Sequence, residues 1–222
     1  MRVNNQEIEW LESKAPIDFE AALNFMQTRV EQIINSQAKQ LIWILEHPEI
    51  YTAGISAKDS DLLVKTQIPI FKTNRGGKYT YHGPGIKIIY LMLDLKKFFY
   101  PNPPDIAKFI QFLENWIIAT LAQINIKGEI KKDRVGIWVN HQGQEKKIAA
   151  IGIKIKKWVS YHGIAINIDP DLAKFDNIIP CGIKEYGVTS VKGVLGEGFS
   201  KEMLEGFNVK LKNSFLNFYD YK

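Results

Sequence analysis

The run from Val135 to Ile168 constrains the fold more than any other part of this chain. Val135–Val139 and Lys146–Ile155 read as strands flanking Asn140-His141-Gln142-Gly143, a polar, glycine-ended run that signals a hairpin. Val159–Ile168 follows as a third consecutive strand. The first half is built differently. From Asp18 to Asn35, the apolar residues Phe19, Ala22, Leu23, Met26, Val30, Ile33 and Ile34 recur at helical spacing. Pro103-Pro104-Asp105 opens a second helix carrying Ile106, Phe109, Ile110, Leu113, Trp116, Ile117 and Leu121. Leu41–Leu45, Ile68–Thr73 and Ile86–Leu95 read as strands, with a turn-rich segment at Asn74–Gly85. Ser200 is a candidate N-cap with Phe199 and Leu204 placed for a hydrophobic staple, and its helix runs towards Phe218. Strands joined both by helices and by hairpins predict an α/β fold (α+β with a mixed sheet). No repeat, linker or composition break divides the chain, so residues 1–222 are expected to form a single domain.

Composition narrows the function classes. A chain of 222 residues with 45% hydrophobic and 24% charged residues can bury a full core and is ordinary for a globular protein. The N-terminus has no apolar run, so no signal peptide is expected. The closest approach to a membrane span, Ile86–Leu95, is strand-length and interrupted by Lys87 and Asp94. One cysteine and no targeting segment point to a reducing cytoplasm. The net charge of +5 is modest, and the cluster Lys146, Lys147, Lys154, Lys156 and Lys157 reads mostly as a solvated face that can also attract an acidic protein. Zinc-finger spacing and an RNA-binding signature are both missing, and the four histidines lack metal-ligand spacing.

Four features carry candidate chemistry. Cys181, in Ile179-Pro180-Cys181-Gly182-Ile183, is the lone thiol; it is either a small packing residue or a nucleophile. Arg75-Gly76-Gly77-Lys78-Tyr79-Thr80-Tyr81-His82-Gly83-Pro84-Gly85 is either a long hairpin turn or a binding loop whose glycines let backbone N–H groups approach a ligand. Strand alternation places Lys147 on one face with Ala149, Ile151, Ile153 and Ile155. Desolvation favours loss of an ammonium proton, which suits a lysine in such a place to acid–base work. The alternatives are that Lys147 snorkels from a fraying strand start, or that a bulge at Gly152 resets the alternation. His162 shares a face with Ile164, Ile166 and Ile168, as a core residue or a catalyst; His47 and His141 lie in turn settings.

Taken together and in order, these segments resemble the lipoyl(octanoyl) transferases. The resemblance rests on the 75–85 loop, Lys-Ile-Ala-Ala-Ile-Gly at 147–152, His-Gly-Ile-Ala-Ile-Asn at 162–167 and Pro-Cys-Gly at 180–182. Leu45-Glu46-His47-Pro48 and Tyr51-Thr52-Ala53-Gly54 are similar to the family's early segment. One departure is visible: Ile86 stands where the family usually has glutamine after His-Gly-Pro-Gly.

The resemblance implies a biotin/lipoate protein ligase-like catalytic domain. It implies transfer of an octanoyl group from octanoyl-acyl carrier protein to a lysine of lipoyl domains of 2-oxoacid dehydrogenases and of the glycine-cleavage carrier protein. Cys181 would be the acyl-thioester nucleophile and Lys147 its acid/base partner. Arg75, Gly76, Gly77, Lys78, Tyr79, Thr80, Tyr81 and His82 would line the acyl pocket with Ala150, Ile151, Gly152, Gly163, Ile164 and Ala165. No resident cofactor, metal or ATP is implied, since the donor brings its own phosphopantetheine. Nucleic-acid and membrane partners are not expected, and a monomer is. The competing expectations are an ATP-dependent lipoate or biotin ligase, a non-catalytic carrier-binding module, and a cysteine thioesterase.

Overall fold

The computed structural model of the chain describes residues 8–179 and 186–220. Among the described residues, ten strands form two sheets. The larger runs in the order β1 (Ile8–Glu12), β2 (Gln40–Leu45), β6 (Ile86–Met92), β10 (Val159–Asn167), β9 (Gln144–Lys156), β8 (Arg134–His141), β7 (Glu129–Lys131). Within this sheet β1 and β2 run parallel and every other neighbouring pair is antiparallel. The smaller sheet centres on β3 (Ile50–Ala53), which is parallel to β4 (Ile70–Lys72) and antiparallel to β5 (Tyr79–His82).

Helices cover both faces of the large sheet, which explains why β2 and β6 are apolar without alternation. Helix α1 (Phe19–Ile34) buries Ala22, Met26, Val30 and Ile33 against Leu41, Trp43, Ile88, Tyr90 and Met92. On the other face, α3 (Ile106–Ala122) and α6 (Phe207–Asp220) bury Phe109, Leu113, Trp116, Leu211 and Phe215 against Ile42, Ile44, Ile89 and Leu91. Each large side chain so buried contributes roughly 1.5–3 kcal/mol relative to exposure. Trp116 ties α3 to α6 by donating its indole N–H to the Leu211 carbonyl at 2.8 Å. Asp18 and Asp105 cap α1 and α3, accepting from the amides of Ala21 (2.9 Å) and Lys108 (3.0 Å). No helix among the described residues is long and apolar enough to cross a membrane.

The expected hairpin is present, with a two-residue turn at Gln142 and Gly143 in which both residues have positive φ (56° and 77°). This mirror-type turn matches the twist of the strands it joins. A second such turn, Lys157 and Trp158 at φ 48° and 71°, joins β9 to β10. Helix α1 and the second helix follow the expected spans closely. The expected strand at 68–73 shrinks to Ile70–Lys72, and the final helix is split at Gly206 into α5 (Lys201–Glu205) and α6. Short elements such as β1, β3, β5, β7, α2 (Leu95–Phe99) and α4 (Val191–Leu195) went unanticipated, because three to five residues are too few for a period to register. The five lysines close in sequence do not form one patch. Lys147 is buried, Lys156 is ion-paired with Glu31, and roughly 30 Å of strand separates them at the usual rise per residue.

Candidate active site

The glycine-rich loop between β4 and β5 is pinned from three directions. Gly54 and Ser56 donate their amides to the carbonyls of Lys78 and Gly77 (both 3.1 Å), and Gly76 donates to Ile153 on β9 (3.0 Å). Arg75, 8% exposed, turns its guanidinium inward: Nη2 donates to the carbonyls of Thr52 (2.8 Å) and Lys78 (3.0 Å) and to Thr52 Oγ1 (2.7 Å). Much of its charge is therefore spent holding loop backbone together. Gly77 has φ of 88°, where a side chain would be strained, and Gly152 lets the loop approach β9, since a methyl there would lie 3.1 Å from the Gly76 carbonyl oxygen.

Between this loop, β5, β9 and β10 lies a cavity enclosing about 540 Å³ of atom-free space, part of it open to solvent. Residues 75–80, His82, 150–152 and 163–165 all line it. Tyr81 does not. Alternation along β5 turns it away from Thr80 and His82, onto Tyr51 and Phe175, where its hydroxyl donates to Glu49 Oε1 at 2.8 Å. The lining also includes Phe19, Thr52, Ile88, Tyr90 and His162, which motif reading did not single out as a pocket wall.

His82, Tyr90 and His162 form one wall of the cavity, and His47, outside the lining, packs against His82 and Tyr90 to complete a buried imidazole–phenol cluster. His47 Nδ1 lies 2.6 Å from the Ile17 carbonyl oxygen and so must donate to it, leaving Nε2 to accept from the Tyr90 hydroxyl at 2.6 Å. Burial pushes the His47 imidazole below its usual range against the Ile17 hydrogen bond and the Asp18 charge. His82 is held well below it by burial first and then by electrostatic interaction with its neighbours His47, Arg75 and His162. His162 is lowered to about 3, mainly by burial and then by Arg75. These rings are thus neutral near pH 7, and this wall of the cavity carries no imidazolium. In sequence His47 reads as a turn residue; its ring partners Phe19, His82 and Tyr90 come from α1, β5 and β6.

His162 departs from the face expected for it. Its φ of 58° interrupts the alternation of β10, so its ring stacks on Tyr161 and meets Tyr90 rather than joining Ile164, Ile166 and Ile168 on the α3 side. Gly163 follows because a methyl there would collide with the Ile89 carbonyl.

Lys147 also changes face, and for an identifiable reason. The β8–β9 register shifts so that Ile137 pairs with Ala149 but Trp138 pairs with Lys147, leaving Ile148 as a bulge. Ile148 and Ala149 both join the α3-side core, whereas Lys147 lies opposite Trp138 on the face of Ala150 and Gly152. The bulge that resets the pattern is at Ile148, not Gly152. Lys147 is 6% exposed; its Nζ donates to the Val135 carbonyl at 3.0 Å and sits 4.8 Å from the Trp138 ring centre. Its backbone pairs with the segment after Tyr186: Lys147 N–H donates to Gly187 O (3.0 Å) and Thr189 N–H to Lys147 O (2.9 Å). Arg134 stacks between Trp138 and Tyr186, 4.7 and 4.1 Å from their ring centres. Cys181 lies outside the described residues. Before it, Ile179 N–H donates to Asp61 O at 2.7 Å, and after it comes the Tyr186–Thr189 stretch held by β9.

A sequence model of the lipoyl protein ligase A/B catalytic domain matches residues 18–209. An octanoyltransferase from Wolbachia pipientis subsp. Culex pipiens is 54% identical over 184 residues, covering 83% of this chain and 88% of the relative. This chain belongs to the octanoyltransferase family. The fold extends further. The bipartite lipoate protein ligase of Thermoplasma acidophilum superposes with a TM-score of 0.62 at 15% identity, covering 96% of this chain and 81% of that one. The biotin protein ligase of Aquifex aeolicus gives 0.53 at 16% identity, covering 96% and 72%. The octanoyltransferase chain therefore has the biotin/lipoate ligase-like fold that its motifs led one to expect.

Proposed function

We propose that this chain transfers an octanoyl group from octanoyl-acyl carrier protein to a lysine of lipoyl domains, through a thioester on Cys181, with Lys147 as acid/base partner. Family membership supports octanoyl transfer in protein lipoylation, which makes the chain an acyltransferase. The observation that carries the mechanism is Lys147: a buried lysine on the β9 face of the cavity-lining Ala150 and Gly152, whose own amide is bonded to Gly187, six residues beyond Cys181.

In the first step the Cys181 thiolate attacks the octanoyl carbonyl, the phosphopantetheine sulfur leaves, and Lys147 as ammonium gives that sulfur its proton. In the second, the acceptor amine attacks the Cys181 thioester, the cysteine sulfur leaves, and Lys147 takes the amine proton. One thioester replaces another and then yields an amide, so no ATP, metal or resident cofactor enters. Supporting this reading, residues 75–80, 150–152 and 163–165 enclose a cavity whose histidines are neutral, an environment suited to an alkyl chain. The work is placed in the cytoplasm, by a monomer, with the lipoyl domains of 2-oxoacid dehydrogenases and the glycine-cleavage carrier protein as acceptors.

Intact mass after incubation with octanoyl-acyl carrier protein tests it. Wild type gains one hydroxylamine-sensitive octanoyl group, Cys181→Ala gains none, and Lys147→Ala acquires it slowly or fails to pass it on. An adduct persisting in Cys181→Ala sinks the thioester mechanism. Octanoylation of a lipoyl domain from free octanoate plus ATP, unaffected by Cys181→Ala, makes the chain a ligase instead.

A further inference from the structure

Helix α3 faces the sheet with Phe109, Leu113, Trp116 and Ile117, yet one carboxylate interrupts this apolar row. Glu114 is 5% exposed and reaches β8, where its Oε1 accepts from the Gly136 amide at 3.1 Å. The carbonyl of that same peptide unit belongs to Val135, and it accepts from Lys147 Nζ at 3.0 Å. One peptide group therefore lies between an acidic side chain from α3 and the lysine from β9. Its N–H faces the acid and its C=O faces the ammonium.

An anion on the N–H draws electron density towards the carbonyl oxygen, and a cation on the oxygen makes the N–H a better donor. The two hydrogen bonds strengthen each other across the amide. A buried carboxylate among apolar neighbours is costly unless partnered. Burial raises the Glu114 carboxyl above its usual range, opposed by the Gly136 hydrogen bond and the positive charge of Lys147. The backbone is shaped for this link as well. Gly136 has φ of 119°, and a methyl on it would meet the Ala149 carbonyl oxygen at 2.7 Å and Lys147 Cε at 3.4 Å.

We propose that Glu114 is a positioning residue for Lys147, acting through the Val135–Gly136 peptide group. By polarising that peptide, the carboxylate strengthens the bond that holds the Lys147 ammonium on the Val135 carbonyl. The proposal rests on the acid/base reading of Lys147 and adds a residue that lies outside the cavity lining.

The test pairs Glu114→Gln with Lys147→Met. Glutamine keeps an oxygen for the Gly136 N–H but removes the charge. Octanoyl transfer by Glu114→Gln is expected to lose about tenfold in kcat while KM for octanoyl-acyl carrier protein is unchanged, a split that a merely packing role does not produce. In case that variant does not fold, the Gly136 amide proton gives a second readout in otherwise native protein. Its NMR resonance, moved downfield by the carboxylate, shifts upfield when Lys147→Met removes the cation on the other side of the peptide. Wild-type kcat in folded Glu114→Gln, or an unmoved Gly136 resonance in Lys147→Met, overturns the proposal. If Lys147→Met keeps full activity, the acid/base reading of Lys147 fails instead, and the amide shift still reports on the peptide link.

Discussion

Gly136 and Gly143 offer a controlled comparison, because both have positive φ and only one is crowded. Gly136→Ala forces a side chain onto φ of 119°, and its methyl starts 2.7 Å from the Ala149 carbonyl oxygen, a distance real side chains do not tolerate. Gly143→Ala adopts φ of 77° with nothing within 4 Å of the new methyl. The second change meets only the left-handed backbone cost, about 1 kcal/mol. The first adds displacement of β9 at Ala149, for a total of about 3 kcal/mol. For a chain of this size that corresponds to a fall in Tm of roughly 6–12 °C for Gly136→Ala, against roughly 2–4 °C for Gly143→Ala. Differential scanning calorimetry at pH 7.5 measures both. Activity separates them further. Moving the Val135–Gly136 peptide displaces the acceptor of Lys147, and under the acid/base role proposed for Lys147 a shift of about 1 Å costs on the order of a hundredfold. Single-turnover octanoyl transfer by Gly143→Ala stays near wild type, while that of Gly136→Ala falls by about that factor. Equal stability losses in the two variants, or full activity in Gly136→Ala, would refute the claim that this backbone sets the lysine.

Three further outcomes follow from the geometry. Gly152→Ala brings a methyl to 3.1 Å from the Gly76 carbonyl oxygen and 3.2 Å from Arg75 Cδ, so the loop must give way into the cavity; under the acyl-binding role proposed for that cavity, the octanoyl-to-butanoyl ratio of kcat/KM falls several-fold, about 1–3 kcal/mol of discrimination per methylene being available in such a pocket. His162 sits near 3 when folded, below its unfolded value, so the folded state binds fewer protons; its contribution is full above about pH 6.5 and is lost as pH falls towards 3, at up to about 1.4 kcal/mol per pH unit. Urea midpoints measured from pH 7.5 to pH 4.5 decline less steeply in His162→Asn, and an unchanged slope contradicts the burial argument. Asp18→Ala removes the acceptor of the Ala21 amide and lowers stability by about 1 kcal/mol, read from urea midpoints, with KM for the octanoyl donor unaffected.

Local signals carried much of the architecture into view. The long amphipathic helices announced themselves because sixteen or seventeen residues hold several turns of one apolar face. The β8–β9 hairpin was legible from its turn chemistry, and the residues of the 75–82 loop, Tyr81 apart, do meet 150–152 and 163–165 at one cavity. What failed was alternation, in two places. At Lys147 a bulge at Ile148 moved the side chain across the sheet, and at His162 a left-handed backbone angle did the same. Neither departure leaves a mark in composition or period, because a bulge is fixed by how two strands pair and not by either strand alone.

By itself the sequence determined the element types, the mixed-sheet class and the ordered motifs that place the chain in its family. Those depend on short-range spacing, and spacing is written directly in the residues. The tertiary structure alone decided which face Lys147 presents and that His47, Tyr90, His82 and His162 meet in one buried cluster. It alone placed Glu114 behind the peptide that Lys147 grips. Each of these depends on strands and helices far apart in the chain meeting across the sheet, where packing rather than local propensity sets the partner.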